Sequence, residues 1–314
     1  MLYLYFVLGL FFLAYGGDTL VKGAVGVARK LNVSPLVVGI VLVGFGTSTP
    51  ELIASLLAVF QTPPSPAIAV GNVVGSNICN ILLVLGVTAL IAPVKIEMKS
   101  FARDSLFLGL STVALFVATM LGGLNFFGGI VLVMMLFAYV AYCYVSERKD
   151  KKAIKQMQAE QEQTAPLKHS TFVYVMIAAL GMMMTMLGAK ALVYSAVAFA
   201  RQWGISETVI GLTVVAVGTS LPELASSIAA ALKKQNELAY GNIVGSNIYN
   251  ALFILGVVAL LTPYQFPSDI WPSLTIMAMT TLWLVVLGAY KQISRLMGLL
   301  FLMAYVGYVV CLML

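Results

Sequence analysis

The feature that most constrains this chain is a polar, helix-breaking segment inside a long apolar run. Segment 44–51 reads GFGTSTPE, whereas 37–43 and 52–60 are almost entirely apolar. Pro50 cannot donate a backbone hydrogen bond, so carbonyl groups in the preceding turn lose their usual helical partners. The carboxylate of Glu51 costs about 3 kcal/mol or more at bilayer depth unless it has a partner. Carboxylate, hydroxyl and free carbonyl oxygens together suit a hard cation such as calcium or sodium, so the segment predicts a cation site.

Composition supports a membrane location for this segment. Hydrophobic residues make up 61% of the 314 residues and charged residues only 10%, and apolar runs long enough to cross a bilayer recur along the chain. No positive charge precedes the first run, so we interpret it as a retained span rather than a signal peptide. Ten membrane spans are predicted, at 3–28, 35–60, 66–91, 104–121, 124–145, 171–200, 205–232, 237–261, 270–289 and 293–313.

The same composition argues against several kinds of protein. The three cysteines lie singly in apolar segments, which does not suggest a disulfide framework or a thiolate metal site. The single histidine, His169, lies in a charged linker. No nucleophile–base–orienter set is visible, so an intramembrane enzyme is a remote alternative. The net charge of +6 comes from loop residues, and a lipid bilayer accounts for it better than a nucleic acid partner does.

The polar segment occurs twice in the chain. GTSTPEL at 46–52 is matched by GTSLPEL at 218–224, and GNVVGSNICN at 71–80 is matched by GNIVGSNIYN at 241–250. Each copy belongs to a group of five predicted spans, and this odd number places the two copies in opposite orientations. Inverted repeats with interrupted helices in matching positions are typical of secondary transporters whose site lies near the membrane midplane.

The predicted fold class is therefore an all-α polytopic membrane protein. Its ten transmembrane helices form two inverted five-helix repeats, at 1–145 and 171–314, with helices 2 and 7 interrupted. A charged linker at 146–170 joins the repeats. The positive-inside rule makes this linker cytoplasmic and places both termini outside the inner or plasma membrane. Fifteen of the 18 basic residues lie in loops on the linker's side: Arg29, Lys30, Lys95, Lys99, Arg103, Arg148, Lys149, Lys151, Lys152, Lys155, Lys168, Lys233, Lys234, Lys291 and Arg295.

Helical spacing brings polar side chains of each copy onto one face. Thr47 and Ser48 precede Glu51 by four and three residues, so the three share a face if the helix resumes after the break. A second stripe, at intervals of four residues, consists of Asn72, Ser76 and Asn80. The other copy repeats both groups with Thr219, Ser220, Glu223, Asn242, Ser246 and Asn250.

Other interpretations of neighbouring residues stay open. The GxxxG patterns at 71–75 and 241–245 also fit close helix packing. Asn77 and Asn247 lie off the main stripe, where capping or helix–helix hydrogen bonding is as good an expectation as ion contact. Asp18 and Lys22, one helical turn apart near the cytoplasmic end of the first span, are expected to form an ion pair rather than to bind a transported cation.

The two copies of G-T-S-x-P-E, each followed by G-N-x-V-G-S-N-x-x-N, resemble the membrane domain of the sodium/calcium exchanger family. That family belongs to the cation/calcium antiporter superfamily, and the similarity is to its prokaryotic branch over essentially the whole chain. The resemblance implies an antiporter rather than an enzyme. It implies sodium/calcium exchange by alternating access, with calcium and sodium as the transported ions and no cofactor.

The resemblance also implies a role for each motif residue. Glu51 and Glu223 correspond to the central carboxylates that bridge calcium, together with the backbone carbonyls of Thr47 and Thr219. One flanking sodium site corresponds to Thr219, Ser220, Glu51, Ser76 and the Ala216 carbonyl, and its inverted counterpart to Thr47, Ser48, Glu223, Ser246 and the Gly44 carbonyl. Asn80 and Asn250 match the family's central amide or acid positions; many relatives have Asp at one of them, whereas this chain has Asn at both. This chain is thus limited to two carboxylates, which argues against the potassium-dependent branch.

Two functional alternatives are set beside sodium/calcium exchange. Protons can also neutralise two carboxylates, so a proton-coupled calcium antiporter is the nearest alternative. A cation channel is more remote, because it needs a continuous pore and no counter-ion. The expected partners are calcium ions, sodium ions and the lipid bilayer, without nucleic acid. The sequence does not set the oligomeric state, and a monomer is compatible with it.

Overall fold

The described part of the chain is almost entirely helical in this computed structural model. The structure describes residues 1–62, 64–149, 169–204, 216–267 and 270–313. Most of the predicted linker and the beginning of the predicted seventh span, 205–215, lie outside the described residues.

The first half contains eight α-helices, interrupted by two π-helical segments, among its described residues. In chain order the helices are α1 Leu2–Leu31, α2 Pro35–Val38, α3 Phe45–Thr47, α4 Thr49–Phe60, α5 Pro66–Cys79, α6 Leu85–Ile91, α7 Met98–Met120 and α8 Phe126–Lys149. The π-helical segments are Gly39–Gly44 and Asn80–Val84, and two short strands are β1 Val94–Lys95 and β2 Gly123–Leu124.

The described residues of the second half follow the same order. Their helices are α9 Thr171–Gln202, α10 Ala216–Thr219, α11 Leu221–Leu232, α12 Asn236–Tyr249, α13 Leu255–Leu261, α14 Trp271–Gly288 and α15 Arg295–Met313. A π-helical segment, Asn250–Ile254, joins α12 to α13, and the strands are β3 Tyr264–Gln265 and β4 Gln292–Ile293.

Local sequence explains how the first two helices meet. Asn32 adopts a left-handed conformation (φ 51°, ψ 45°) that ends α1, which asparagine tolerates better than most residues. Ser34 then caps α2, because its side chain accepts a hydrogen bond of 3.3 Å from the Val37 backbone N–H. Pro35 follows at the first helical position, where its missing N–H is not needed. Three residues outside helices, 32–34, therefore suffice to redirect the chain.

The protein is a multi-pass integral membrane protein. Within the described residues eight helices are long and apolar enough to cross a bilayer, or up to nine if the bent pair Pro35–Thr47 and Thr49–Phe60 is one span. The two parts of that pair meet at an angle of 41°. Large apolar side chains are exposed along the outer helices, among them Phe11, Phe137 and Met303. A surface of this kind is suited to lipid rather than water.

The first helix and α9 pack closely along their length. A Cβ atom added at Gly16 would lie 2.9 Å from the Gly181 carbonyl oxygen, and one added at Gly9 would lie 3.0 Å from the Gly188 carbonyl oxygen. Small residues of this kind let membrane helices approach each other at backbone contact. Both helices contact α11, the helix that begins within the second GTSxPE segment.

The centre of the molecule is formed by α5–α6 and α12–α13 with their π-helical connections. Most residues of these two spans are buried, and the largest apolar cluster includes Ile78, Ile81, Ile248 and Leu252. A π-helical turn contains an additional residue, which shifts the face that the following helix presents. Both π segments begin at an asparagine that was predicted as a site residue, Asn80 or Asn250.

The short strands join the two halves of the chain reciprocally. β1 pairs antiparallel with β4, with Val94 opposite Ile293. β2 pairs antiparallel with β3, with Leu124 opposite Tyr264. Each half thus gives its first strand to the second strand of the other half, as in an interface with twofold symmetry.

The structure corrects the predicted start of the fourth span. The sequence placed Arg103 in a loop and began the span at 104, but α7 begins at Met98. Arg103 is buried, and its Nε lies 2.8 Å from Asp104 Oδ1. The Tyr139 hydroxyl donates to the same carboxylate oxygen over 3.1 Å. The guanidinium is tolerated inside the protein because an adjacent carboxylate is paired with it.

The predicted ion pair in the first span is confirmed. Lys22 Nζ lies 2.7 Å from Asp18 Oδ2. Lys233, which follows α11, lies 2.5 Å from Asp18 Oδ1 and donates to the Asp18 backbone carbonyl over 3.2 Å. The pair therefore extends into a contact between α1 and the end of α11, which the sequence did not predict.

A candidate cation site between two broken helices

The two GTSxPE segments break their helices in the same way. Ser48 (φ −81°, ψ 6°) separates α3 from α4, and Ser220 (φ −88°, ψ 6°) separates α10 from α11. In each copy the proline follows within the first two positions of the new helix, where no N–H is required. Glu51 and Glu223 then lie in the first helical turn. The positive end of a helix dipole favours a negative charge at that position.

Hydrogen bonds connect the first break to the second half of the chain. The Ser48 hydroxyl donates to Glu223 Oε1 over 3.2 Å. The Ser246 hydroxyl donates to the Gly44 carbonyl over 3.3 Å. A Cβ atom added at Gly44 would lie 3.0 Å from the Ser246 backbone nitrogen, so the glycine allows this close approach. The two breaks therefore form one polar centre.

Glu51 and Glu223 are fully buried, at 0% exposure. Several oxygen atoms in this centre are buried without a hydrogen-bond partner among the described residues: Glu51 Oε1 and Oε2, Glu223 Oε2, Asn80 Oδ1 and Asn250 Oδ1. Unpaired buried carboxylate oxygens are costly in a protein interior. A donor set made of carboxylate and amide oxygens fits calcium or another hard cation.

Hydrogen bonds link four of the ten predicted site residues in pairs, Thr47 with Ser246 and Ser48 with Glu223. Nine of the ten are buried, and Thr219 is half-buried: Glu51, Glu223, Thr47, Ser48, Thr219, Ser220, Ser76, Ser246, Asn80 and Asn250. No group of three or more His, Cys, Asp or Glu side chains with metal-site geometry occurs in the described ranges. A cation here must therefore rely on hydroxyl, amide and backbone oxygens in addition to the two carboxylates.

Asn77 and Asn247 connect the two central helices. The Asn77 side chain donates to the Asn247 carbonyl over 3.2 Å, and the Asn247 side chain donates to the Asn77 carbonyl over 3.3 Å. Asn250 also donates to Asn77 Oδ1 over 3.2 Å. The alternative of helix–helix hydrogen bonding is thus confirmed for these two asparagines. These two bonds are reciprocal between the two halves of the chain, as the two strand pairs are.

The glycine pattern packs closely in the second copy. A Cβ atom at Gly241 would lie 2.7 Å from the Leu36 carbonyl, and one at Gly245 would lie 2.8 Å from Ile40 Cα. For Gly71 and Gly75 the described residues include no neighbour within 4 Å. Close helix packing is therefore confirmed for the second copy, where it positions the π-helical segment that leads to the first break.

Sequence reasoning did not select Asn72 and Asn242, although both lie on the predicted stripes. Asn72 donates to the Glu51 carbonyl and to Ser55 Oγ, each over 3.1 Å. Asn242 makes the corresponding bond to the Glu223 carbonyl over 3.3 Å. The available signal was a serine four residues after each glutamate, on the face of the helix that the asparagine meets.

Comparisons with known proteins identify the family of this chain. The chain matches the family described as sodium/calcium exchanger protein over residues 1–145 and 173–314. The chain is 37% identical to a protein of Alkalimonas amylolytica that bears the name antiporter CaxA. The match covers 97% of this chain and 96% of the relative. The sodium/calcium exchanger MaX1 of Methanosarcina acetivorans is 32% identical over 99% of this chain and 98% of its own.

A solved structure of the sodium-calcium exchanger NCX_Mj, soaked with Na⁺ and Sr²⁺, has the same fold. It is 32% identical, with a TM-score of 0.81 over 98% of this chain and 98% of that chain. The resemblance found in the sequence is thus confirmed. The chain belongs to the sodium/calcium exchanger protein family and is an integral membrane antiporter of that family.

Proposed function

We propose that this antiporter exchanges sodium for calcium by alternating access, with the ions bound near the membrane midplane between Glu51 and Glu223. The observation that carries the proposal is the pair of fully buried carboxylates with unpaired oxygens. An empty site of this kind holds two negative charges at low dielectric, which is strongly unfavourable. One calcium ion or two sodium ions neutralise it.

Coupling follows from that charge balance. If the change of access requires a neutral site, the loaded states cross and the empty anionic state does not. The protein then exchanges one ion for the other and does not let ions leak across the membrane, because each change of access needs a bound cation. Rigid-body movement of one group of helices past another is the usual means of alternating access. The pair α1 and α9, packed on glycines beside α11, is the group that we assign to this movement.

The ligand sets follow the two breaks. Calcium is assigned to Glu51 and Glu223 with the carbonyls of Thr47 and Thr219. One sodium site is assigned to Thr219, Ser220, Glu51, Ser76 and the Ala216 carbonyl, and the other to Thr47, Ser48, Glu223, Ser246 and the Gly44 carbonyl. Asn80 and Asn250 complete the centre without adding charge. The hydrogen bonds of Ser48 to Glu223 and of Ser246 to Gly44 support the second sodium set.

The proposal includes the membrane topology. Ten transmembrane helices form two inverted repeats, 1–145 and 171–314, with the linker 146–170 in the cytoplasm and both termini outside. The reciprocal strand pairs and the reciprocal Asn77–Asn247 bonds support an approximate twofold relation between the halves. The distribution of basic loop residues supports the orientation.

Calcium flux into proteoliposomes tests the function, with sodium, potassium and proton gradients imposed one at a time. We expect an outward-directed sodium gradient to drive calcium uptake, and potassium to have no effect. Uptake driven by a pH gradient without sodium, and unaffected by added sodium, would replace this function with proton-coupled antiport. Calcium uptake that needs no counter-ion would identify a channel instead.

A further inference from the structure

Asn242 contacts both breaks at once. Its side chain is 1% exposed. Its Nδ2 donates to the Glu223 carbonyl over 3.3 Å and to the hydroxyls of Ser226 and Ser227 over 2.9 and 2.8 Å. Its Oδ1 accepts a hydrogen bond from the Thr47 hydroxyl over 3.1 Å. One amide thus joins the helix that carries Glu223 to the polar break of the other half.

The orientation of this amide is determined by its partners. A backbone carbonyl can only accept a hydrogen bond, so the atom facing Glu223 must be the NH₂ group. Oδ1 therefore faces Thr47. The Gly44 carbonyl and Ser246 Oγ lie farther from the Thr47 hydroxyl, at 3.4 Å each. Of these three oxygen atoms, all from the described part of the chain, Asn242 Oδ1 is the nearest acceptor for the hydroxyl proton.

A threonine hydroxyl has one proton and two lone pairs. When the proton is directed at Asn242, the lone pairs are left for a cation. We propose that Asn242 is a positioning residue that holds the Thr47 hydroxyl in the orientation that binds sodium. This inference rests on the proposed function, because it takes Thr47 as a sodium ligand. Partners that orient a ligand typically change metal affinity by about 10- to 100-fold when they are removed.

Asn72 provides a matched control. It is the equivalent residue of the first copy, and it makes the corresponding bonds to the Glu51 carbonyl and to Ser55. These bonds lie in its own half, whereas those of Asn242 also reach Thr47. A substitution of Asn72 should therefore act independently of a substitution of Thr47.

A double-mutant cycle on the purified full-length protein tests the inference. Sodium and calcium affinities are taken from the rise in unfolding temperature with ion concentration, a readout that does not need transport. Asn242→Leu is expected to weaken sodium binding by about tenfold. In a Thr47→Val background the same change should have an effect below about twofold, since the hydroxyl that it orients is gone. Asn72→Leu should have equal effects in both backgrounds.

Equal effects of Asn242→Leu in the two backgrounds would overturn the inference. If that variant does not fold, Asn242→Ala replaces it in the cycle. Sodium affinity that is unchanged by Thr47→Val alone would also overturn it, whether or not an Asn242 variant folds. The proposed function can fail separately from this inference. If the wild-type protein binds sodium but shows no sodium-driven calcium flux, the proposed function is wrong, and the double-mutant cycle of sodium affinities can still be measured.

Discussion

Neutralising one central carboxylate should weaken calcium binding more than sodium binding. Glu51→Gln keeps the shape of the side chain and removes its charge. Calcium and two carboxylates form a neutral group, whereas calcium and one carboxylate leave a net positive charge in a fully buried centre. Removing one partner from a buried ion pair costs about 3–5 kcal/mol. Since about 1.4 kcal/mol corresponds to a tenfold change, the dissociation constant for calcium should rise by about 10²- to 10⁴-fold.

Sodium should respond differently to the same substitution. The remaining carboxylate of Glu223 still balances one sodium ion, and its Oε1 keeps the hydrogen bond from Ser48. We therefore expect one sodium ion to bind to Glu51→Gln with a smaller loss of affinity than calcium shows. Glu223→Gln should give the same ranking of the two ions. The variant with both substitutions should bind neither ion measurably, because no charge is left to balance a cation.

Isothermal titration calorimetry of the purified protein measures both affinities. Glu97→Gln is the control, since Glu97 is an exposed carboxylate just before α7, outside the candidate site. It should leave calcium and sodium binding unchanged. Wild-type calcium affinity in Glu51→Gln or Glu223→Gln would refute the charge argument, and equal losses of calcium and sodium affinity would contradict the predicted ranking of the two ions.

Two further predictions concern stability, both measured as unfolding temperature in detergent. Gly245→Ala should destabilise the protein by about 1–3 kcal/mol, because the added Cβ would lie 2.8 Å from Ile40 Cα in the π-helical segment Gly39–Gly44. Gly109→Ala is the control, since Gly109 has no described neighbour within 4 Å, and it should not destabilise the protein. An equal loss of stability in the two variants would contradict this packing. Lys233→Gln should cost about 1 kcal/mol, since it removes a hydrogen bond to the Asp18 carbonyl as well as an ion pair. Lys22→Gln should cost at most about 0.5 kcal/mol, because the Lys22 side chain is 63% exposed. A larger loss of stability for Lys22→Gln than for Lys233→Gln would contradict the role of the Lys233–Asp18 contact.

The sequence predicted helix positions well where apolar runs end at polar turns. The second and third spans were expected at 35–60 and 66–91, and the structure has helices between the same limits. The prediction was wrong where a charge did not mark a helix end. Arg103 was assigned to a loop, but its ion pair with Asp104 allows it to lie inside α7. Pairing between buried side chains depends on the tertiary structure, so charge alone could not reveal it.

The candidate site was predicted residue by residue, but its internal connections were not. The repeated motif identified Glu51 and Glu223 because a carboxylate beside a proline is unusual within an apolar run. The π-helical segment at Asn80 has no comparable signature, since one additional residue in a turn follows from packing rather than from local propensity. The link from Asn242 to Thr47 joins residues 195 positions apart, and helical periodicity cannot predict such a contact.

The reciprocal strand pairs bear on how the protein is made. β1 and β2 have their hydrogen-bonding partners in β4 and β3, which are synthesised after more than half of the chain. Contacts of such high sequence separation form slowly and late in folding. Until the second half is synthesised, β1 and β2 lack these partners, and Glu51 lacks the residues of the second half that contribute to the candidate site. Assembly of the candidate cation site is therefore expected to be a late step of folding, because it needs residues from both halves.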